Sequence, residues 1–300
     1  MSGDNDSESS EGGFKLYHFD PSFAVAVLFA VLFGGVSIRH LQLLIRSRTW
    51  AFIPFLIGCL SVETAGYAAR AYSARQTPDW TLMPYIIQSI LILLGPAFFA
   101  GSIYMVLGRL IQVLEGEDYS LIRVKWLTKL FLLGDILSIF GQGGGGGLLA
   151  GSKSKSTQDL GNAVILIGLG IQVAFFSSFM LVTAVFHVRI VKHPTLQSKT
   201  TTRPWQRFLC VLYFSSVLIM VRSVFRMVEY AQGNNGSLMQ KEVYAYVLDA
   251  VLMLVVAAIF TLYHPSQVLQ GHKISDRGAH LEESSDSFPM VGQSSYRRMD

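Results

Sequence analysis

Apolar and polar positions divide the chain into seven apolar runs of roughly 20 residues, about 22–45, 50–70, 81–107, 126–147, 163–187, 208–230 and 243–263, with short polar breaks between them. A helix of that length crosses the ~30 Å hydrocarbon core of a bilayer. The pattern therefore predicts an all-α polytopic membrane protein, a seven-transmembrane helix bundle over residues 21–265. Residues 1–20 are acidic and rich in Ser and Gly, which predicts an extracellular disordered arm; residues 266–300 are polar with both charge signs, which predicts a cytosolic disordered tail. The arm has no basic stretch followed by an apolar one, so the first span is expected to serve as the membrane address.

Composition agrees: 51% of the 300 residues are apolar and only 15% are charged, too few charges for soluble domains of this length. The net charge of +4 would suit nucleic acid if it were clustered, but it is not. Basic residues concentrate after spans one, three, five and seven, among them Arg46, Arg48, Arg123, Lys125, Arg203, Arg207, Lys273 and Arg277. The positive-inside rule then predicts the N-terminus outside and the C-terminus in the cytosol, with membrane lipids and not nucleic acid as surroundings. The sequons at Asn5 and Asn235 both fall outside in that topology, the side on which glycans are added.

Two runs break the apolar pattern in a regular way. Arg222, Arg226 and Glu229 are spaced i, i+4, i+7, and so are Glu242, Tyr246 and Asp249, so each set shares one helical face. Charges at that depth must face a bundle interior and find partners. Glu63 and Arg70, seven apart, also share a face, and Asp135, Gln142, Gln88 and Gln172 add polar groups in other spans. With a rise of about 1.5 Å per residue, most of these groups come out within roughly 10–14 Å of the outer edge, and Asp135 a little past the midplane. The expectation is one polar chamber in the outer half of the bundle, lined by Glu63, Asp135, Gln142, Gln172, Arg222, Arg226, Glu229 and Asp249 and able to bind a substrate headgroup. Acids outnumber arginines there, which suits an amine, with Glu63, Asp135 or Asp249 as its partner. The competing expectation is a network that only fixes helix registration.

Local signals add detail. Pro54 is expected to kink span two, and Pro96 to free a backbone carbonyl in span three. The run Gly143 to Gly147 is expected to interrupt the helix of span four. It is not a phosphate loop, because no Gly-Lys-Ser/Thr closes it. Span one ends in Arg39, His40, Arg46 and Arg48, where Arg39 is expected to extend its stem to the inner headgroups. His187 and His193 lack further ligands at useful spacing, and Cys59 and Cys210 lie inside spans as small apolar residues, so no metal or cofactor is expected. Spans six and seven contain no mid-depth lysine for Schiff-base chemistry, and no enzyme is expected.

Several long motifs, in order, carry a resemblance. They are E-T-A-G-Y-A-A-R (Glu63 to Arg70), P-A-F-F-A-G-S-I-Y-M-V-L-G-R (Pro96 to Arg109), D-I-L-S-I-F-G-Q-G-G (Asp135 to Gly144), R-S-V-F-R-M-V-E-Y-A-Q-G (Arg222 to Gly233), E-V-Y-A-Y-V-L-D (Glu242 to Asp249) and His264-Pro265. Over about residues 22–268 the chain resembles the fungal lipid-translocating exporter family. Gly101 and Ser266 depart from its usual Ala and Gly, and neither is a charged position. The resemblance implies a lipid transporter at a fungal membrane, most simply the plasma membrane. It would export or flip amphipathic lipids, sphingoid long-chain bases first, and confer resistance to membrane-active toxicants; one branch is linked to porphyrin uptake. A seven-helix receptor or sensor of lipid stress is the reading from another functional class. Oligomeric state is left open.

Overall fold

Along the apolar runs the backbone closes its own hydrogen bonds as helix, the form a chain takes where no water is at hand for its N–H and C=O groups. The computed structural model describes residues 21–48, 52–76, 81–151, 154–200, 205–232 and 242–265, apart from the side chains of Leu82 and Ala150. The predicted arm 1–20, the predicted tail 266–300, and Asn5 and Asn235 lie outside the described residues. In order come α1 (Phe23–Ser47), then α2 (Ile53–Ile57), a π-helical stretch (Gly58–Thr64) and α3 (Ala65–Ala74) as one rod. There follow α4 (Leu82–Val113), α5 (Val124–Gly151), α6 (Lys155–Lys192), the short α7 (Leu196–Thr200) and α8 (Trp205–Ala231). The last rod joins α9 (Glu242–Ala245), a second π-helical stretch (Tyr246–Val251) and α10 (Leu252–Leu262). Each predicted run coincides with a helical rod. Among the described residues five helices, Phe23–Ser47, Met83–Val113, Lys155–Lys192, Trp205–Ala231 and Glu242–Leu262, are long and apolar enough to cross a membrane.

The surface is that of a membrane protein. Val31, Ile45, Phe140, Ile167, Leu181 and Val247 point outward, while Arg222, Glu63, Asp135 and Asp249 are buried. α4 is the central helix, packed by α2, α3, α5, α6, α8 and the first π stretch. Its Ile103, Tyr104, Val106, Leu107, Leu110 and Ile111 are fully enclosed. Toward one end Phe55 stacks on Phe52 and Phe99, with ring centroids 4.5 and 4.4 Å apart.

Two local expectations are corrected. The glycine run does not interrupt span four, since α5 continues through Gly143–Gly147 to Gly151. Each glycine costs helix stability of about 1 kcal/mol relative to alanine in water, but here packing against α6 requires the bare backbone. A Cβ on Gly145 would lie 2.6 Å from the Gly161 carbonyl oxygen, and one on Gly141 3.1 Å from the Gly168 Cα. Close approach through small residues is a common way for helices to associate in lipid. Pro54 makes no kink: it stands in the first turn of α2, where its missing N–H has no helical acceptor to serve. The irregularity in that rod is the π stretch that follows it. α4, α5 and α6 also overrun their apolar stretches, because polar flanks continue a helix that apolarity alone would end.

Candidate functional site

Pro96 cannot donate to the carbonyl four residues before it, Ile92, so that oxygen is open inside α4. The guanidinium of Arg222 on α8 fills the gap, its Nη2 donating to the Ile92 carbonyl. Arg222 is 0% exposed, and its Nε donates to Oδ1 of Asp249 at 2.5 Å. The other oxygen of Asp249 accepts from Arg226 Nη2, and Arg226 Nη1 donates to Glu229 Oε2 at 2.8 Å. Two cations and two anions thus close a chain from α4 across α8 to the last rod. Truncating one member of such a buried pair costs about 3–5 kcal/mol, because the other charge is left uncompensated.

Both π stretches belong to this cluster. Asp249 lies in Tyr246–Val251, and Glu63 in Gly58–Thr64. The wider turn of a π stretch shifts side chains off the regular helical face, and such turns recur at functional sites. Glu63 is 0% exposed, and Asp249, Arg222 and Arg226 are its charged neighbours. Neither of its oxygens has a hydrogen-bond partner among the described residues. The carboxyl rests on α4 at Gly95, where a Cβ would come 2.0 Å from Oε1.

By direct hydrogen bonds and ion pairs the residues expected to line one chamber fall into separate groups. Gln142 Nε2 donates to Gln172 Oε1 at 2.9 Å and to Ser138 Oγ at 2.5 Å, which joins α5 to α6 beside the glycine contact. Asp135 faces the Tyr104 hydroxyl on α4. No hydrogen bond or ion pair among the described residues links Asp135, Gln142 or Gln172 to the Arg222 cluster. What the structure brings together is Arg222, Arg226, Glu229 and Asp249, with Glu63 alongside.

Rungs above and below complete the arrangement. Arg70, expected on the face of Glu63, pairs with Glu242 at 3.1 Å and donates from Nε to the Tyr246 hydroxyl at 3.1 Å. The backbone N–H of Ser22 also reaches Glu242, at 3.0 Å, and ties α1 to this end. At the opposite end His40 is fully buried, its Nε2 2.9 Å from the Ala257 carbonyl and its ring beside Phe55 and His264. His40 is therefore a core residue, unlike the basic residues that follow it along the chain. The signal was in the spacing: α1 buries Ala26, Phe29, Phe33, Ser37, His40 and Leu44, a 3–4 repeat on which His40 falls.

Residues 55–272 match the family described as RTA1 like protein. The chain is 37% identical over 289 residues to Protoporphyrin uptake protein 1 of Saccharomyces cerevisiae, covering 85% of this chain and 93% of that one. It is 32% identical over 281 residues to Protein RTA1 of the same yeast, covering 85% and 86%. With the Sphingoid long-chain base transporter RSB1 of Saccharomyces cerevisiae it shares 25% over 289 residues, covering 85% and 74%. No solved structure matches. A buried charge cluster inside an apolar helical bundle, together with this match over most of its length, shows that the chain belongs to the RTA1-like family of lipid-translocating exporters.

Proposed function

We propose that this protein moves amphipathic lipids across a fungal plasma membrane, sphingoid long-chain bases first, and so confers resistance to membrane-active toxicants. All seven rods cross the bilayer, with the N-terminus outside. The Arg70–Glu242 rung then lies toward the exterior, and the His40 rung toward the cytosol. The observation that carries this reading is a pair of enclosed acids, Glu63 and Asp135, neither of which forms an ion pair among the described residues, while Asp249 is held by two arginines. A buried carboxylate without a partner is costly, and an ammonium headgroup would relieve that cost. The amine therefore goes to Glu63 or Asp135, and Asp249 serves to anchor the arginines. Gln142 and Gln172 remain candidates for bonding substrate hydroxyls, Gln142 through its unused Oε1.

A second reading, porphyrin uptake, is favoured by 37% identity across 93% of the yeast protoporphyrin protein. Arg222 Nη1 and Arg226 Nε, donors without an acceptor among the described residues, would then meet the porphyrin carboxylates. Purified protein in liposomes separates the readings, with labelled sphingoid base and protoporphyrin run in parallel. Faster crossing of the base than in empty vesicles is expected. Faster crossing of protoporphyrin alone would establish the second reading. If neither crosses faster, transport fails and a receptor of lipid stress takes its place.

A further inference from the structure

We infer that Glu63 is a proton-binding switch: it holds a proton while its carboxyl lies against Gly95, and once discharged it competes with Asp249 for Arg222. Charge balance carries the first half. Arg222 and Arg226 are already matched by Asp249 and Glu229, so an ionised Glu63 would be a third anion facing two cations, without one hydrogen bond of its own among the described residues. A carboxyl so enclosed takes up a proton instead of standing as a bare charge. The groups facing it are Cys59 and Tyr67 on its own rod, Arg222 and Arg226 on α8, and Asp249 on the last rod. α1 and α4 also pack on this stretch, and the charges that act on Glu63 come from α8 and the last rod.

The second half rests on Arg222 Nη1, which has no acceptor among the described residues. Nε serves Asp249 and Nη2 serves Ile92, while Nη1 is buried and unused. When Glu63 gives up its proton to water, its carboxylate turns to Nη1. Arg222 is then shared, and the tie between α8 and the last rod loosens. A π-helical stretch on each acid's rod supplies the local slack for that turn. On the transport reading, from which this last step follows, an ammonium headgroup takes the place of the proton at Glu63. The two occupants exclude each other, so outward movement of an amine is exchanged for inward movement of a proton.

Infrared difference spectra of the full chain in lipid nanodiscs, recorded on raising the pH, test the switch without any transport. The wild type is expected to lose the carbonyl stretch of a protonated carboxylic acid, and E63Q to lack that change. An identical band loss in both would overturn the proposal. Should E63Q not fold, Glu63→Asp keeps the acid with one methylene fewer, and the band must then move; an unmoved band would overturn it equally. Adding sphingosine in weak buffer is expected to release up to about one proton per bound amine from the wild type and none from E63Q. Band loss confined to the wild type, with no proton released by sphingosine, would uphold the switch and remove the amine as its occupant.

Discussion

The contact between α5 and α6 and the one between α8 and the last rod hold helices together in opposite ways. In the first the constraint is absence: Gly141, Gly145, Gly161 and Gly168 bring backbone against backbone. In the second the constraint is charge, with Arg222 and Arg226 divided among Asp249, Glu229 and the Ile92 carbonyl. In lipid no hydrophobic gain drives helices together, so close van der Waals contact and polar pairing must do it. A glycine contact has one geometry and tolerates nothing larger. A charged contact can exchange partners.

Five substitutions, read by thermal unfolding in detergent, would break or sharpen that contrast. Arg222→Met leaves Asp249 half-matched and the Ile92 carbonyl without its side-chain donor, and is expected to destabilise by about 3–5 kcal/mol. Adding Asp249→Leu should recover much of that loss, as replacing both members of a buried pair often does; no recovery would show that the charge itself is required. Gly145→Ala comes next, at about 1–3 kcal/mol, because the new methyl meets backbone that has no room to shift. Gln142→Leu removes the donor to Gln172 and Ser138, at about 1–2 kcal/mol. Gly144→Ala, facing open space one residue from Gly145, should stabilise by up to about 1 kcal/mol. Equal effects at Gly144 and Gly145 would refute the glycine contact.

Much of the fold was legible because crossing a bilayer is a one-dimensional requirement, written as apolar length. Much of the site was legible too, since the i, i+4, i+7 spacing put Arg222, Arg226 and Glu229 on one face and Glu242, Tyr246 and Asp249 on another. Pairing was less so. Spacing put Arg70 on the face of Glu63, yet Glu242, 172 residues away, takes it. The glycine run is helical against expectation because helix propensity describes an isolated helix, and the partner that reverses its preference, Gly161, lies on another rod. His40 is set among basic neighbours along the chain, although its 3–4 register points inward.

By itself the sequence determined the helical runs, their faces, the residues too polar for lipid and the family, because each is a property of local spacing or of an ordered motif. Only the tertiary structure decided which acid is spoken for and which stands alone. Asp249 and Glu63 are alike as buried acids along the chain, and they part company because two arginines reach the first while the second lies against the bare backbone of Gly95. Partnership over a few ångströms is set by how rods pack, and no spacing along one rod encodes it.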